Sequence, residues 1–161
     1  MKKVYLDNAS TTAMRPEVIQ VMVDCMAQDY GNPSSTHSLG RHAKSILELS
    51  RKSIAKALNA TAQEILFTSG GTEANNWILR SAVKDLKVRR IISSKMEHHA
   101  VLYPILELQK EFDIQVEYVE NSADGVLDLT HLVDLLSEST EKTLVSLMHV
   151  NNETGVILDL E

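Results

Sequence analysis

The chain has 161 residues, 43% hydrophobic and 24% charged, values typical of a globular protein long enough for a real core. Its formal net charge of -6 argues against nucleic acid as a main partner, because phosphate binding wants a basic surface. Its one cysteine excludes an internal disulfide and fits a reducing, cytoplasmic setting. No apolar run approaches the roughly 18 residues of a membrane span, and Met1–Asp7 lacks the apolar stretch of a secretory signal.

In chain order, Pro16 to Asp29 predicts a first helix, with Pro16 in its first turn and Val18, Met22, Cys25 and Met26 on one apolar face. Tyr30 to Thr36 is a turn-rich loop. A second helix is expected over His42 to Leu58, with Ala43, Ile46, Leu47, Ile54 and Leu58 inward. Ile65-Leu66-Phe67 reads as a short buried strand, followed by a glycine turn and a third helix from about Glu73. Arg90 to Ser93 is a strand, and Pro104 to Phe112 a helix. Ile114 to Val119 is an alternating strand, Thr130 to Ser137 a short helix, and Thr143 to Val150 a strand running into an asparagine loop. Strands alternating with helices predict an α/β fold with a mainly parallel sheet. Val156 to Glu161 begins something apolar with no helix stop or polar tail, which points to a longer parent chain.

Three loops carry residues that can do chemistry. Ser69-Gly70-Gly71-Thr72 lies between a strand and a helix, where free N–H groups and a partial positive charge suit a phosphate. On local sequence alone an ordinary turn capped by Thr72 is the simpler reading, and neither nucleotide motif, G-x-G-x-x-G nor G-x-x-x-x-G-K, is present. Glu97-His98-His99 follows a strand, at the end of a sheet where ligands collect. A histidine there can stack on a flat ring or move a proton. The plainer alternative has one ring satisfied by backbone and the other in solvent. Zinc is not expected, since no His-Glu-x-x-His or Cys-x-x-Cys is present. Asn151-Asn152-Glu153-Thr154-Gly155 offers amides for an oxygen ligand, or simply turn chemistry. Cys25, on an apolar helix face, reads as packing rather than as a nucleophile.

In order, these segments resemble the cysteine desulfurases of the class V aminotransferase family, which are fold type I pyridoxal-phosphate enzymes. The matching pieces are Tyr5 to Thr12, Gly31-Asn32-Pro33-Ser34-Ser35-Thr36-His37, Phe67 to Asn75, Glu97-His98-His99-Ala100-Val101 and Met148 to Gly155. The resemblance implies that residues 1–161 are the N-terminal segment and an incomplete cofactor-binding large domain of a longer enzyme. It implies pyridoxal 5'-phosphate held at Gly71 and Thr72, and His98 stacked on its ring as the catalytic proton carrier. Asn152 would bond the phenolic oxygen and lie near the substrate, and Asn8 would border the substrate entrance. L-cysteine would be the substrate, converted to L-alanine with its sulfur passed to an enzyme cysteine and then to a sulfur-acceptor protein. A homodimer is implied as well. The family's cofactor-bearing lysine and sulfur-carrying cysteine belong to later segments, so this stretch alone is expected to be inactive and to hold the cofactor weakly. The alternatives are a non-catalytic module acting through dimerisation or partner binding, and a selenocysteine lyase or other class V lyase.

Overall fold

The computed structural model describes residues 3–160, so Met1, Lys2 and Glu161 lie outside it, with the parts of the leader and chain-end readings that fall on them. The chain forms two compact units, Met1–Phe67 and Thr68–Glu161.

In the first unit, helix α1 spans Pro16–Gln28. Arg15 before it is extended (φ -65°, ψ 143°), as a residue preceding proline prefers. The expected apolar face is present but uncovered. Val18 and Met22 are nearly half exposed, Met26 more so, and Cys25 is exposed, which corrects its reading as a packed thiol. Helix α2 spans Ser38–Ala57, starting four residues before the expected His42. The early start has a local cause: His37 is the N-cap, and its Nδ1 accepts from Gly40 N–H at 3.4 Å. Gly40 is also where the preceding loop folds back, since a Cβ there would lie 2.4 Å from the Ser35 carbonyl oxygen. Of the residues expected inward, Ala43 is buried and Ile46 partly so, whereas Leu47, Ile54 and Leu58 are exposed.

Ile65–Phe67 is not a buried strand. Leu66 is 63% and Phe67 46% exposed, and the segment has irregular backbone after a 3-10 turn at Ala62–Glu64. A strand needs a neighbour for its backbone groups. Here the Ile65 carbonyl accepts instead from the Arg51 guanidinium of α2, which also lies 4.8 Å over the Phe67 ring.

The second unit contains α3 (Gly71–Lys84), β1 (Arg90–Ser94), α4 (His99–Phe112), β2 (Gln115–Val119), α5 (Leu129–Ser137) and β3 (Thr143–Val145). The three strands form a parallel sheet in the order β2-β1-β3. Every residue of the central strand β1 is buried. Its alternation divides the core: Ile91 joins Leu79, Val83, Val101, Ile105 and Leu108 of α3 and α4, while Ile92 joins Val119 and Leu135 of α5. Only Ile91 and Ile92 of this strand are apolar; Arg90, Ser93 and Ser94 are polar residues buried with them.

Two boundaries in this unit differ from expectation by five residues. Helix α4 begins at His99, five residues before Pro104, because His98 caps it; Pro104 is buried inside the helix. Strand β3 stops at Val145 instead of Val150. Ser146 N–H still donates to Ile92 O at 2.9 Å, but the chain then turns, and Val150 forms an antiparallel bridge to Ile157. Arg80 meets Glu107 at 2.7 Å and Glu111 at 3.2 Å, and Lys84 meets Glu111 at 3.7 Å. These pairs advance together along both helices, so α3 and α4 run parallel and their N-termini share one end of the unit.

Candidate active site

That shared end lies beyond the carboxyl ends of the parallel strands, where ligands gather in open α/β sheets. Helix α3 starts there without a side-chain cap. Gly70 is the N-cap, extended at φ 163°, and Thr72 is the second helical residue, which corrects the expectation of Thr72 as cap. Glu73 reaches back to accept from Ser69 N–H at 2.6 Å. That backbone bond holds its carboxyl below the ordinary range and braces the turn. The N–H groups of Gly71 and Thr72 have no hydrogen-bond partner among the described residues. A Cβ built on Gly70 or Gly71 meets nothing within 4 Å, so the space before these donors is open. Uncapped N–H groups facing open space fit a phosphate.

His98 stands at the start of α4, exposed, with its Nδ1 accepting from Ala100 N–H at 3.0 Å. The neutral ring in this arrangement carries its proton on Nε2, facing away from the helix it caps. His99 is exposed too, its ring centroid 3.9 Å from that of His98, so the histidine pair is not split between core and solvent. Asn75, the fifth residue of α3, Val101 in the first turn of α4 and Ser146 after β3 line one small cavity, which places the N-terminal parts of both helices beside the end of β3.

The asparagines divide the two sequence readings between them. Asn151 performs turn chemistry: its Oδ1 accepts from Glu153 and Thr154 N–H, both at 2.9 Å, and its carbonyl accepts from Gly155 N–H at 2.8 Å. Gly155 is at φ 75°, the left-handed region that favours glycine. Asn152 is exposed at the tip, its Nδ2 donating only locally to Glu153 at 3.1 Å, and is available to a ligand. Gly71, Thr72, His98 and Asn152 thus come to one end of one unit. Asn8 belongs to the other unit, on an exposed turn after Asp7.

Sequence reasoning missed two residues of this site. Glu97 is 9% exposed, and its carboxylate accepts from Met148 N–H. Burial pushes this carboxyl above its ordinary value, and the Met148 bond opposes the shift. Asn151 sends Nδ2 across to Met96 O at 3.0 Å. In sequence both stood inside the Glu97-His98-His99 and Asn151 to Gly155 segments, but neither was singled out for a role. Both line a cavity of about 130 Å³ with Met96, Met148 and Ile157.

The chain is similar to known proteins in both sequence and fold. Cysteine desulfurase IscS of Dictyoglomus turgidum is 42% identical over 158 residues, covering 97% of this chain and 39% of the relative. The IscS of Haemophilus ducreyi is 41% identical, with 98% and 39% coverage. The chain therefore spans about 39% of the length of these curated relatives. Among solved structures, a NifS-like protein superposes with TM-score 0.89 at 37% identity, covering 98% of this chain and 43% of that one. The apo cysteine desulfurase of Thermococcus onnurineus NA1 gives TM-score 0.86 at 28% identity, with 98% and 39% coverage. These neighbours are fold type I pyridoxal-phosphate enzymes, in keeping with the expected α/β fold. The family described as aminotransferase class-V matches residues 4–161, and this chain belongs to it.

Proposed function

We propose that residues 1–161 are the N-terminal part of a pyridoxal-phosphate-dependent cysteine desulfurase, with Thr68–Glu161 belonging to its cofactor-binding large domain. The observation that carries this reading is the uncapped start of α3 beside the loops bearing His98 and Asn152. Gly71 and Thr72 would hold the cofactor phosphate through their N–H groups and the Thr72 hydroxyl. Asn152 would donate to the phenolic oxygen. His98 would lie against the ring and hold or release a proton at Nε2 near the substrate. When bound, pyridoxal phosphate supplies the electron sink for carbanion chemistry.

In the complete protein the substrate is L-cysteine, the product L-alanine, and the sulfur leaves through an enzyme cysteine to an acceptor protein. One solved neighbour, SspA in complex with cysteine, is 28% identical with TM-score 0.79, which supports an amino-acid substrate of this class. The likeness to IscS proteins supports a role in iron–sulfur cluster assembly, and the family resemblance supports a homodimer with Asn8 at the substrate entrance. Among the described residues no helix is long and apolar enough to cross a membrane. A lone unpaired cysteine supports a cytoplasmic setting.

The test is titration of the ¹⁵N-labelled chain with pyridoxamine 5'-phosphate, which carries the same phosphate and ring but does not condense with lysines. Perturbations are expected at the Gly71 and Thr72 amides, the His98 ring and the Asn152 side-chain amide. Gly71→Pro is the selective control. Proline is favoured at the first helical position, so α3 persists while one N–H donor is lost. Loss of that charge-assisted bond weakens binding by about tenfold or more. Perturbations elsewhere, or binding unchanged in Gly71→Pro, would overturn the assignment.

A further inference from the structure

The loops carrying His98 and Asn152 are each stiff on their own account. Before His98, Ser94 Oγ accepts from Met96 N–H at 3.0 Å, and the His98 ring is pinned to α4. Beside Asn152, the side chain and carbonyl of Asn151 gather three backbone N–H groups. These local bonds do not fix how far apart the two loops stand. The backbone pairing of β1 with β3 could do so, but it runs out at Ser146, whose N–H donates to Ile92 O. Beyond that point two side-chain bonds cross between the loops: Met148 N–H to the buried Glu97 carboxylate, and Asn151 Nδ2–H to Met96 O.

Resting on the cofactor reading above, we infer that Glu97 and Asn151 are positioning residues, whose crossed hydrogen bonds set the spacing between His98 and Asn152 around a ring-shaped ligand. In both bonds the donor is on the loop after β3 and the acceptor on the loop after β1, but one side chain from each loop makes the crossing. Glu97, immediately before His98, takes a donor from the β3 loop; Asn151, immediately before Asn152, gives a donor to the β1 loop. Each tie is therefore one residue from the group it places, and its chemistry is specific. Position 97 needs an acceptor, which glutamine also supplies through its amide oxygen. Position 151 needs a donor as well as an acceptor. Aspartate there keeps the oxygen for Glu153 and Thr154 N–H but loses Nδ2–H, so it cuts the cross-tie and leaves the turn.

The experiment uses the ¹⁵N-labelled chain. Without ligand, Met148 N–H is expected to be protected from exchange in the wild type and in Glu97→Gln, and unprotected in Glu97→Ala. With pyridoxamine 5'-phosphate, Asn151→Asp and Glu97→Ala should weaken binding about tenfold, the effect of one or two lost hydrogen bonds. At saturation the Gly71 perturbation should remain in both variants, while that of the Asn152 side-chain amide is lost. Glu97→Gln should restore both. General destabilisation would weaken binding without separating the two signals. The inference is overturned if the Asn152 perturbation survives in Asn151→Asp and Glu97→Ala, or if Met148 is equally protected in Glu97→Ala. Absence of any perturbation at Gly71, His98 and Asn152 in the wild type would instead overturn the cofactor reading, while the ligand-free exchange separately decides whether the Glu97 tie exists.

Discussion

Arg90 opens the central strand of the parallel sheet with its side chain 1% exposed, paired with Glu117 of β2, whose side chain is 22% exposed. Arg90 Nη1 is buried without a partner, so even the intact pair leaves one donor unsatisfied. Removing one member of a buried pair strands the other and costs about 3–5 kcal/mol. The partial exposure of Glu117 admits some solvent and places Glu117→Leu near the lower figure, about 3 kcal/mol. Arg90→Met should cost less, because the carboxylate it strands can reach water. The double variant Arg90→Met/Glu117→Leu removes the orphaned donor and the charge together, and should lie within about 1 kcal/mol of the wild type or above it. Urea unfolding followed by fluorescence of Trp77, in the same unit, measures all four proteins. With a slope of about 1–3 kcal/mol per molar urea, the Glu117→Leu midpoint should fall by roughly 1–3 M. A double variant as unstable as Glu117→Leu would refute the reasoning, since the loss would then be one of packing rather than of a stranded charge.

The raised Glu97 carboxyl makes a signed prediction. A folded-state value above the unfolded one means that the native state binds more protons just above pH 4.5, so this group's stabilisation is complete below that pH and is lost as pH rises through the folded value. The stability of Glu97→Gln relative to wild type should therefore grow upward from pH 4.5, and thermal melts of the pair showing a flat or falling difference would contradict the burial argument. Gly40→Ala should cost about 1–3 kcal/mol, because the new Cβ meets the backbone oxygens of Ser35 at 2.4 Å and Asn32 at 2.7 Å rather than movable side chains. Helicity and melting temperature check it, and Gly71→Ala, whose Cβ meets nothing, serves as the neutral comparison.

What could be read from the chain alone was whatever depends on local pattern. Ile91-Ile92 and Ile114 to Val119 announced strands, the helical periods around α1 and α2 announced helices, and the alternation of strands with helices announced a parallel α/β sheet. The glycine turn, His98 and Asn152 were legible as a set because five segments stand in one family's order. Only tertiary structure could decide the rest. Ile65–Phe67 has a strand's composition but no strand beside it, and Arg51 takes its carbonyl instead. The apolar residues of α1 satisfy helical periodicity, yet periodicity says which residues share a face and not whether anything covers it. The starts of α2 and α4 moved because histidine rings cap them, and histidine is not among the residues that commonly signal a cap. Glu97 and Asn151 were invisible as a pair for the same reason. The two bonds that join their loops span 51 and 55 residues of sequence, and no local pattern records a contact that only the folded sheet brings within reach.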